Sequence, residues 1–96
     1  MCKEENLDVL REKIKKITVE IIRLTGKRLS LARKIGKIKS QKKLQIEDPN
    51  IEEDLKRIIV KECQIFKVDN RFGLKLVNLL INESKRVQKE ALKMGR

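Results

Sequence analysis

The chain has 96 residues, 41% of them charged, with 25 Lys and Arg against 14 Asp and Glu and a formal net charge of +11. That length holds one small domain, residues 1–96. The two cysteines, Cys2 and Cys63, lack metal-ligand spacing, and we find neither a signal peptide nor an apolar run of the roughly 20 residues that span a membrane. We therefore expect a cytoplasmic protein, and the single proline and two aromatics favour helices over sheets.

The positive charge is distributed along the whole chain among Glu and Asp, with no basic tail or block. Nucleic-acid-binding proteins usually concentrate their basic residues and stack bases on aromatic side chains. The pattern therefore disfavours nucleic acid as a partner. An ordinary solvated helical surface accounts for this charge, and such a field also steers a small dianion toward a site.

The first predicted helix runs from about Asn6 to about Lys42 without an internal proline. Arg28 fills the one gap in its apolar seam, and an arginine on a buried stripe is costly unless an anion pairs with it. Arg28 is therefore the first candidate for a ligand-binding residue. The seam residues recur at alternating steps of three and four, as in a long amphipathic helix: Leu7, Leu10, Ile14, Ile17, Ile21, Leu24, Leu31, Ile35 and Ile38.

A helix of this length extends about 54 Å, which is more than the rest of the chain can cover in a compact monomer. We therefore expect a second copy of the chain to bury the remaining seam, giving a homodimer with interlocked helices. An ordinary dimeric coiled coil accounts for the apolar repeat but not for the polar residues on it. Gly26 and Gly36, inside the helix, are expected where another backbone or a ligand approaches closely.

Two further helices are predicted, which makes the fold class all-α. After a short connection over 43–47, Asp48-Pro49 is typical of a helix cap followed by proline at the first helical position. A break at about residues 67–69 precedes the third helix, for which Asp69 or Asn70 is the predicted cap. Ser84 is the polar residue on the apolar seam of this third helix.

The candidate binding residues fall at spacings that helices bring together. Arg28 and Lys39 are eleven residues apart, roughly three turns, so both project to nearly the same side and can hold two ends of one anion. Arg11 is seventeen residues before Arg28, about 25 Å along the axis. It cannot share a small ligand with Arg28 of its own chain, but the partner's Arg11 can reach that site in an antiparallel dimer.

The second and third helices add two pairs at i,i+4 spacing, Asp48 with Glu52 and Ser84 with Gln88, and Ile81 lies one turn before Ser84. Each of these residues also has an ordinary structural explanation. Asp48 can be only a helix cap, and Glu52 suits a helix N-terminus. The Ser84 hydroxyl can bond a preceding carbonyl. By the same standard Lys39 and Arg11 can be solvated surface residues, whereas for Arg28 we favour a ligand role over a structural ion pair.

Taken together, these residues resemble the all-helical chorismate mutase family, and the likeness covers nearly the whole chain without a gap. The positions that carry it are Leu10–Ile14, Arg28, Leu31–Ala32, Gly36–Lys37, Lys39, Asp48, Glu52, Ser84 and Gln88. The resemblance implies a three-helix protomer with one very long first helix, interwoven into a homodimer. It also implies rearrangement of chorismate to prephenate, on the shikimate route to phenylalanine and tyrosine.

The resemblance further implies roles for the charged residues and for one amide. Arg28, with Arg11 from the partner chain, would hold the two carboxylates of the substrate. Lys39 would contact a carboxylate and the ether oxygen, and Gln88 would donate an amide hydrogen to that oxygen. The reaction is a one-substrate pericyclic shift, so we expect no cofactor and no metal.

The remaining implied roles concern the ring and the walls of the pocket. Glu52 and the backbone near Asp48 would hold the ring hydroxyl, Ser84 would add a hydrogen bond to a carboxylate, and Ile35 and Ile81 would form walls. The chain departs from the family pattern just before Glu52, where an arginine is common and this sequence has Ile51. That change removes a cation near the substrate carboxylates.

Three other functions stay open at this point. The nearest is elimination of pyruvate from isochorismate, because that lyase shares the scaffold and similar cations. A basic helical module for nucleic acid or a partner protein is the second, and its binding would weaken steeply with salt. A purely structural dimer is the third, and it leaves Arg28 unexplained.

Overall fold

The computed structural model of the protein describes residues 6–94, with side chains as far as Ala91. Three helices account for this range: α1 at Leu7–Lys42, α2 at Pro49–Phe66 and α3 at Asn70–Met94. The predicted all-α class is confirmed, and the predicted ends of the first helix agree with the structure. Cys2 lies outside the described residues, and Cys63 is a buried free thiol on α2.

Side chains at the helix starts account for two of the boundaries. The Asn6 side chain accepts a hydrogen bond from the Val9 N–H at 2.9 Å, and Asp69 Oδ2 accepts one from the Phe72 N–H at 3.0 Å. Of the two predicted caps for α3, Asp69 is therefore the one used. Asp48 occupies the cap position of α2 as predicted, but its side chain makes no capping hydrogen bond.

Helix α3 is central to the packing, since it contacts both α1 and α2, which do not pack directly on each other. On α1 the buried positions are Ala32, Gly36 and Lys39. A Cβ at Gly36 would lie 2.9 Å from the Gln88 Cα, so only glycine allows α1 and α3 to approach so closely. No atom of the described chain lies within 4 Å of the position that a Cβ at Gly26 would take. Within residues 6–94 the close approach predicted at both glycines therefore occurs at Gly36, and an approach of a partner or a ligand at Gly26 stays a prediction.

The single chain is elongated and leaves much apolar surface uncovered. It measures 61 × 27 × 18 Å with a radius of gyration of 17.6 Å, whereas a compact chain of this length has about 12 Å. The first six seam residues of α1 are each at least 42% exposed: Leu7, Leu10, Ile14, Ile17, Ile21 and Leu24. None of the three helices described over residues 6–94 contains an apolar stretch of the length that a lipid bilayer requires.

Candidate active site

The cavity of interest lies in the gap between α1 and α2, with α3 as its floor. Its volume is about 300 Å³, within the range of small-molecule sites. It brings together seven of the nine predicted site residues, and the two that do not line it are Lys39 and Arg11. The lining residues are Arg28, Leu31, Ala32, Ile35, Ile46, Asp48, Ile51, Glu52, Leu55, Ile81, Ser84, Lys85 and Gln88.

Arg28 is half-buried on α1 and directed across to α3. Its Nη1 donates to the backbone oxygen of Leu80 at 3.1 Å and to Ser84 Oγ. Both acceptors are uncharged, and among the described residues no carboxylate forms an ion pair with this guanidinium. Its positive charge therefore borders the cavity without being neutralised, which is the arrangement that favours an anionic ligand.

Lys39 lies behind the cavity wall, where only 8% of its side chain is exposed. Its ammonium donates to Ile46 O at 2.7 Å, to Gln88 Oε1 at 3.0 Å and to the Asp48 carboxylate. Three acceptors use all three ammonium hydrogens. The ion pair also explains why the Asp48 side chain does not cap α2.

The contact with Lys39 fixes the orientation of the Gln88 side chain. An ammonium only donates, so the amide atom that faces it must be the oxygen. The amide NH₂ therefore remains available to a ligand, and within the described chain it bonds no other group. Gln88 is 7% exposed and lines the cavity, so its free donor is shielded from bulk water.

The predictions did not include Lys85, whose ammonium lies 2.6 Å from Glu47 Oε2 and 3.0 Å from Glu52 Oε2. The hydrogen bonds to Glu47 and then Glu52 raise the pKa of Lys85 above its ordinary value. The sequence feature that could have identified Lys85 is its i,i+4 spacing from Ile81, which places it on the cavity side of α3. One lysine among 25 basic residues does not stand out in the sequence.

The positions of Arg11 and Ile51 limit the positive charge that one chain brings to the cavity. Arg11 is on an exposed part of α1, with 65% of its side chain accessible and Asp8 at 3.9 Å. It lies about 25 Å along the helix from Arg28, so it does not reach the cavity of its own chain. Ile51 lines the cavity although it is 69% exposed, which places an apolar group at the rim.

Comparison with known proteins identifies the family of the chain. A family model described as chorismate mutase type II matches residues 10–89. The chain belongs to this family. It is also 36% identical over 88 residues to a chorismate mutase of Methanocaldococcus jannaschii, an alignment that covers 92% of this chain and 89% of the relative. The chorismate mutase family, its isomerase activity and its all-helical fold were predicted from the sequence and are confirmed, and neither the lyase nor the nucleic-acid alternative is favoured.

Proposed function

We propose that the cavity between α1 and α2 is the site at which the protein rearranges chorismate to prephenate. The observation that carries this proposal is the half-buried Arg28, which borders the cavity and whose bonding partners among the described residues are all uncharged. A dianionic substrate supplies the counter-charge that the described residues do not. The rearrangement needs the flexible enolpyruvyl arm folded over the ring, so that its terminal carbon meets the ring carbon to which it bonds.

In this proposal Arg28 holds one substrate carboxylate and Ser84 assists it. The Ser84 hydroxyl already accepts from the guanidinium, so its own hydrogen is free to reach the same carboxylate. The partner's Arg11 holds the second carboxylate. Fixing both carboxylates restricts the arm to the compact, reactive arrangement. Positioning of this kind can lower the activation free energy by as much as about 7–11 kcal/mol.

Gln88 and Lys39 stabilise the ether oxygen, which gains negative charge as its carbon–oxygen bond breaks. The Gln88 amide is already oriented for this task, because its oxygen accepts a hydrogen bond from Lys39 and its NH₂ group is left for the cavity. Lys39 exchanges the Ile46 carbonyl, one of its three acceptors, for the substrate and keeps its contacts with Gln88 and Asp48. It thereby brings a full positive charge to the same oxygen. One preorganised donor in a site of this kind contributes roughly 10²–10³ in turnover.

The other side chains orient the ring and exclude water. Glu52 and the backbone near Asp48 hold the ring hydroxyl, and Glu52 is well placed because it lines the cavity on the first turn of α2. Ile35 and Ile81 pack on the ring faces. Their apolar surface lowers the local dielectric, which strengthens every charge interaction inside the site.

We also propose that residues 1–96 form one domain that functions as a cytoplasmic homodimer. The exposed apolar seam at the start of α1 supports the dimer, because a surface of this kind is rarely left in water. A second copy placed antiparallel along that seam brings its own Arg11 toward Arg28. The buried free thiol of Cys63 fits the reducing conditions of the cytoplasm.

The reaction is tested by giving the purified protein chorismate and, separately, isochorismate. We expect chorismate to disappear with formation of prephenate and without release of pyruvate. Release of pyruvate from isochorismate at a comparable kcat/KM would instead assign the lyase reaction. Neither reaction would occur if the chain were only a structural dimer.

The shared site is tested by mixing Arg11→Ala and Arg28→Ala protomers after each has been shown to be nearly inactive alone. Random exchange makes heterodimers in which one of the two sites has both arginines. Activity should then rise to about one quarter of the wild-type value per protomer, since half the dimers are mixed and each has one intact site. No gain on mixing, with subunit exchange verified by mass, would show that the two arginines do not serve one site.

A further inference from the structure

The cavity contains a lysine to which the roles above give no task. The Lys85 ammonium joins Glu47, in the connection between α1 and α2, to Glu52 on α2, so three parts of the chain meet at one charge. Its side chain is 22% exposed and that of Glu52 is 23% exposed. Both therefore lie largely out of bulk water, and both line the cavity.

An ordinary surface ion pair differs from this arrangement, and α3 contains one for comparison. Arg86 pairs with Glu83 and Glu90 along its own helix, and 57% of its side chain is exposed. Such pairs contribute little and are screened by salt. Lys85, one residue earlier, instead bonds to two other elements from inside the cavity wall, where screening is weaker.

The charges at the cavity give Lys85 a specific task. Two carboxylates line the cavity, Asp48 and Glu52, and the Asp48 charge is balanced by Lys39. A dianionic substrate that enters the cavity would be repelled by Glu52 if that carboxylate were left unpaired. Among the described residues, Lys85 is the cation bonded to Glu52, and the neighbouring Ile51 brings no charge.

We propose that Lys85 is a positioning residue of the substrate site, which holds the Glu52 carboxylate in place for the ring hydroxyl and cancels its repulsion of the dianion. Glu47 assists by fixing the ammonium from the side of the connection. The inference rests on the proposed contact between Glu52 and the substrate. It assigns to α3 the cation that pairs with Glu52, beside the apolar Ile51 on α2.

The test is a set of kinetic constants measured at one ionic strength. Lys85→Met, whose unbranched side chain is one atom shorter and uncharged, should raise KM for chorismate about tenfold and change kcat less than about threefold, since the lost interaction acts on substrate binding. Lys85→Arg should restore KM to within about threefold of wild type. Lys89→Met is the matched control, because Lys89 is an exposed lysine one turn along α3 that does not line the cavity.

The decisive comparison repeats Lys85→Met in a Glu52→Gln background. When the carboxylate is already neutral, loss of the lysine should change KM by less than about twofold, the non-additivity expected of residues that act through each other. An equal rise in KM in both backgrounds would overturn the proposal, as would a Lys85→Met protein that behaves like Lys89→Met. If Lys85→Met does not fold, as judged by its helical circular dichroism, Lys85→Gln is compared in the same two backgrounds.

The same measurements separate this inference from the proposed reaction. If wild-type protein forms no prephenate, the proposed function fails and Lys85 has no substrate to position. If wild type and Lys89→Met form prephenate normally and Lys85→Met does so with an unchanged KM, the reaction stands and only the role of Lys85 is refuted.

Discussion

Gly36 is the point at which a single methyl group should disturb both packing and catalysis. A Cβ there would lie 2.9 Å from Gln88 Cα, 3.0 Å from Gln88 O and 3.2 Å from Ala91 Cβ. The closest of these is about 0.5 Å short of the 3.4 Å at which ordinary contact begins, and two of the three atoms belong to a helix backbone. In Gly36→Ala, α3 must therefore move away from α1 by a few tenths of an ångström and take the Gln88 amide with it.

The expected magnitudes follow from two opposing effects. Overpacking costs about 1–3 kcal/mol, and replacing glycine by alanine inside a helix returns about 1 kcal/mol. Gly36→Ala should therefore lower the free energy of unfolding by about 1 kcal/mol. Because a misplacement of about 1 Å can cost 10²-fold, a shift about half as large should lower kcat roughly tenfold.

Gly26→Ala is the control for this experiment, because no atom of the described chain lies within 4 Å of the position that its new methyl group would take. It should raise the free energy of unfolding by about 0.5–1 kcal/mol through helix propensity alone and leave kcat unchanged. Both variants are measured by urea unfolding at one protein concentration and by initial rates with chorismate. A Gly36→Ala protein as stable and active as Gly26→Ala would refute the close approach of α1 and α3.

Three further predictions concern the buried polar groups and the packing of α2 on α3. Lys39→Ala should lower kcat about 10²–10³-fold, and near-normal turnover would remove Lys39 from the mechanism. Activity should vary less than about twofold between pH 6 and pH 9, because the Gln88 amide does not titrate, and a steep loss above neutrality would contradict Gln88 as the donor. Lys85 adds no pH dependence between pH 6 and pH 9, because its pKa is raised above the ordinary 10.5. Its contribution to stability is therefore fully present below pH 10.5 and is lost as the pH rises through the pKa of the folded state. A Cβ at Gly73 would overlap with Cys63 Sγ, so Gly73→Ala should lower the unfolding free energy by about 1–3 kcal/mol. Adding Cys63→Ala should recover most of that loss in the same urea experiment.

The helices could be predicted from the sequence because their signals are local. The apolar repeat at steps of three and four residues predicts the extent of α1, and the Asp48-Pro49 pair predicts where α2 begins. The interpretation of Asp48 was incomplete for a physical reason. A capping bond depends on neighbours in sequence, whereas the ion pair that occupies this carboxylate comes from Lys39, nine residues away on another element.

The candidate site depended on contacts between distant parts of the chain, and these were only partly predictable. Arg28 was identifiable because it interrupts an apolar repeat. Its actual partners, on α3, are more than 50 residues away in sequence, so spacing alone could not name them. Lys85 was missed because a lysine on a basic helix looks solvated until the packing of α2 places Glu52 beside it. The predicted role of Arg11 depends on a second chain and stays a prediction.

The central claim is that the unneutralised Arg28 guanidinium holds the dianionic substrate, and kcat/KM for chorismate in Arg28→Ala tests it most directly. The matched control is Arg33→Ala, an exposed arginine on the same helix that does not line the cavity. We predict that Arg28→Ala lowers kcat/KM at least about 10²-fold while its helical content is retained, and that Arg33→Ala stays within about twofold of wild type. Equal kcat/KM values for the two folded variants would contradict the claim.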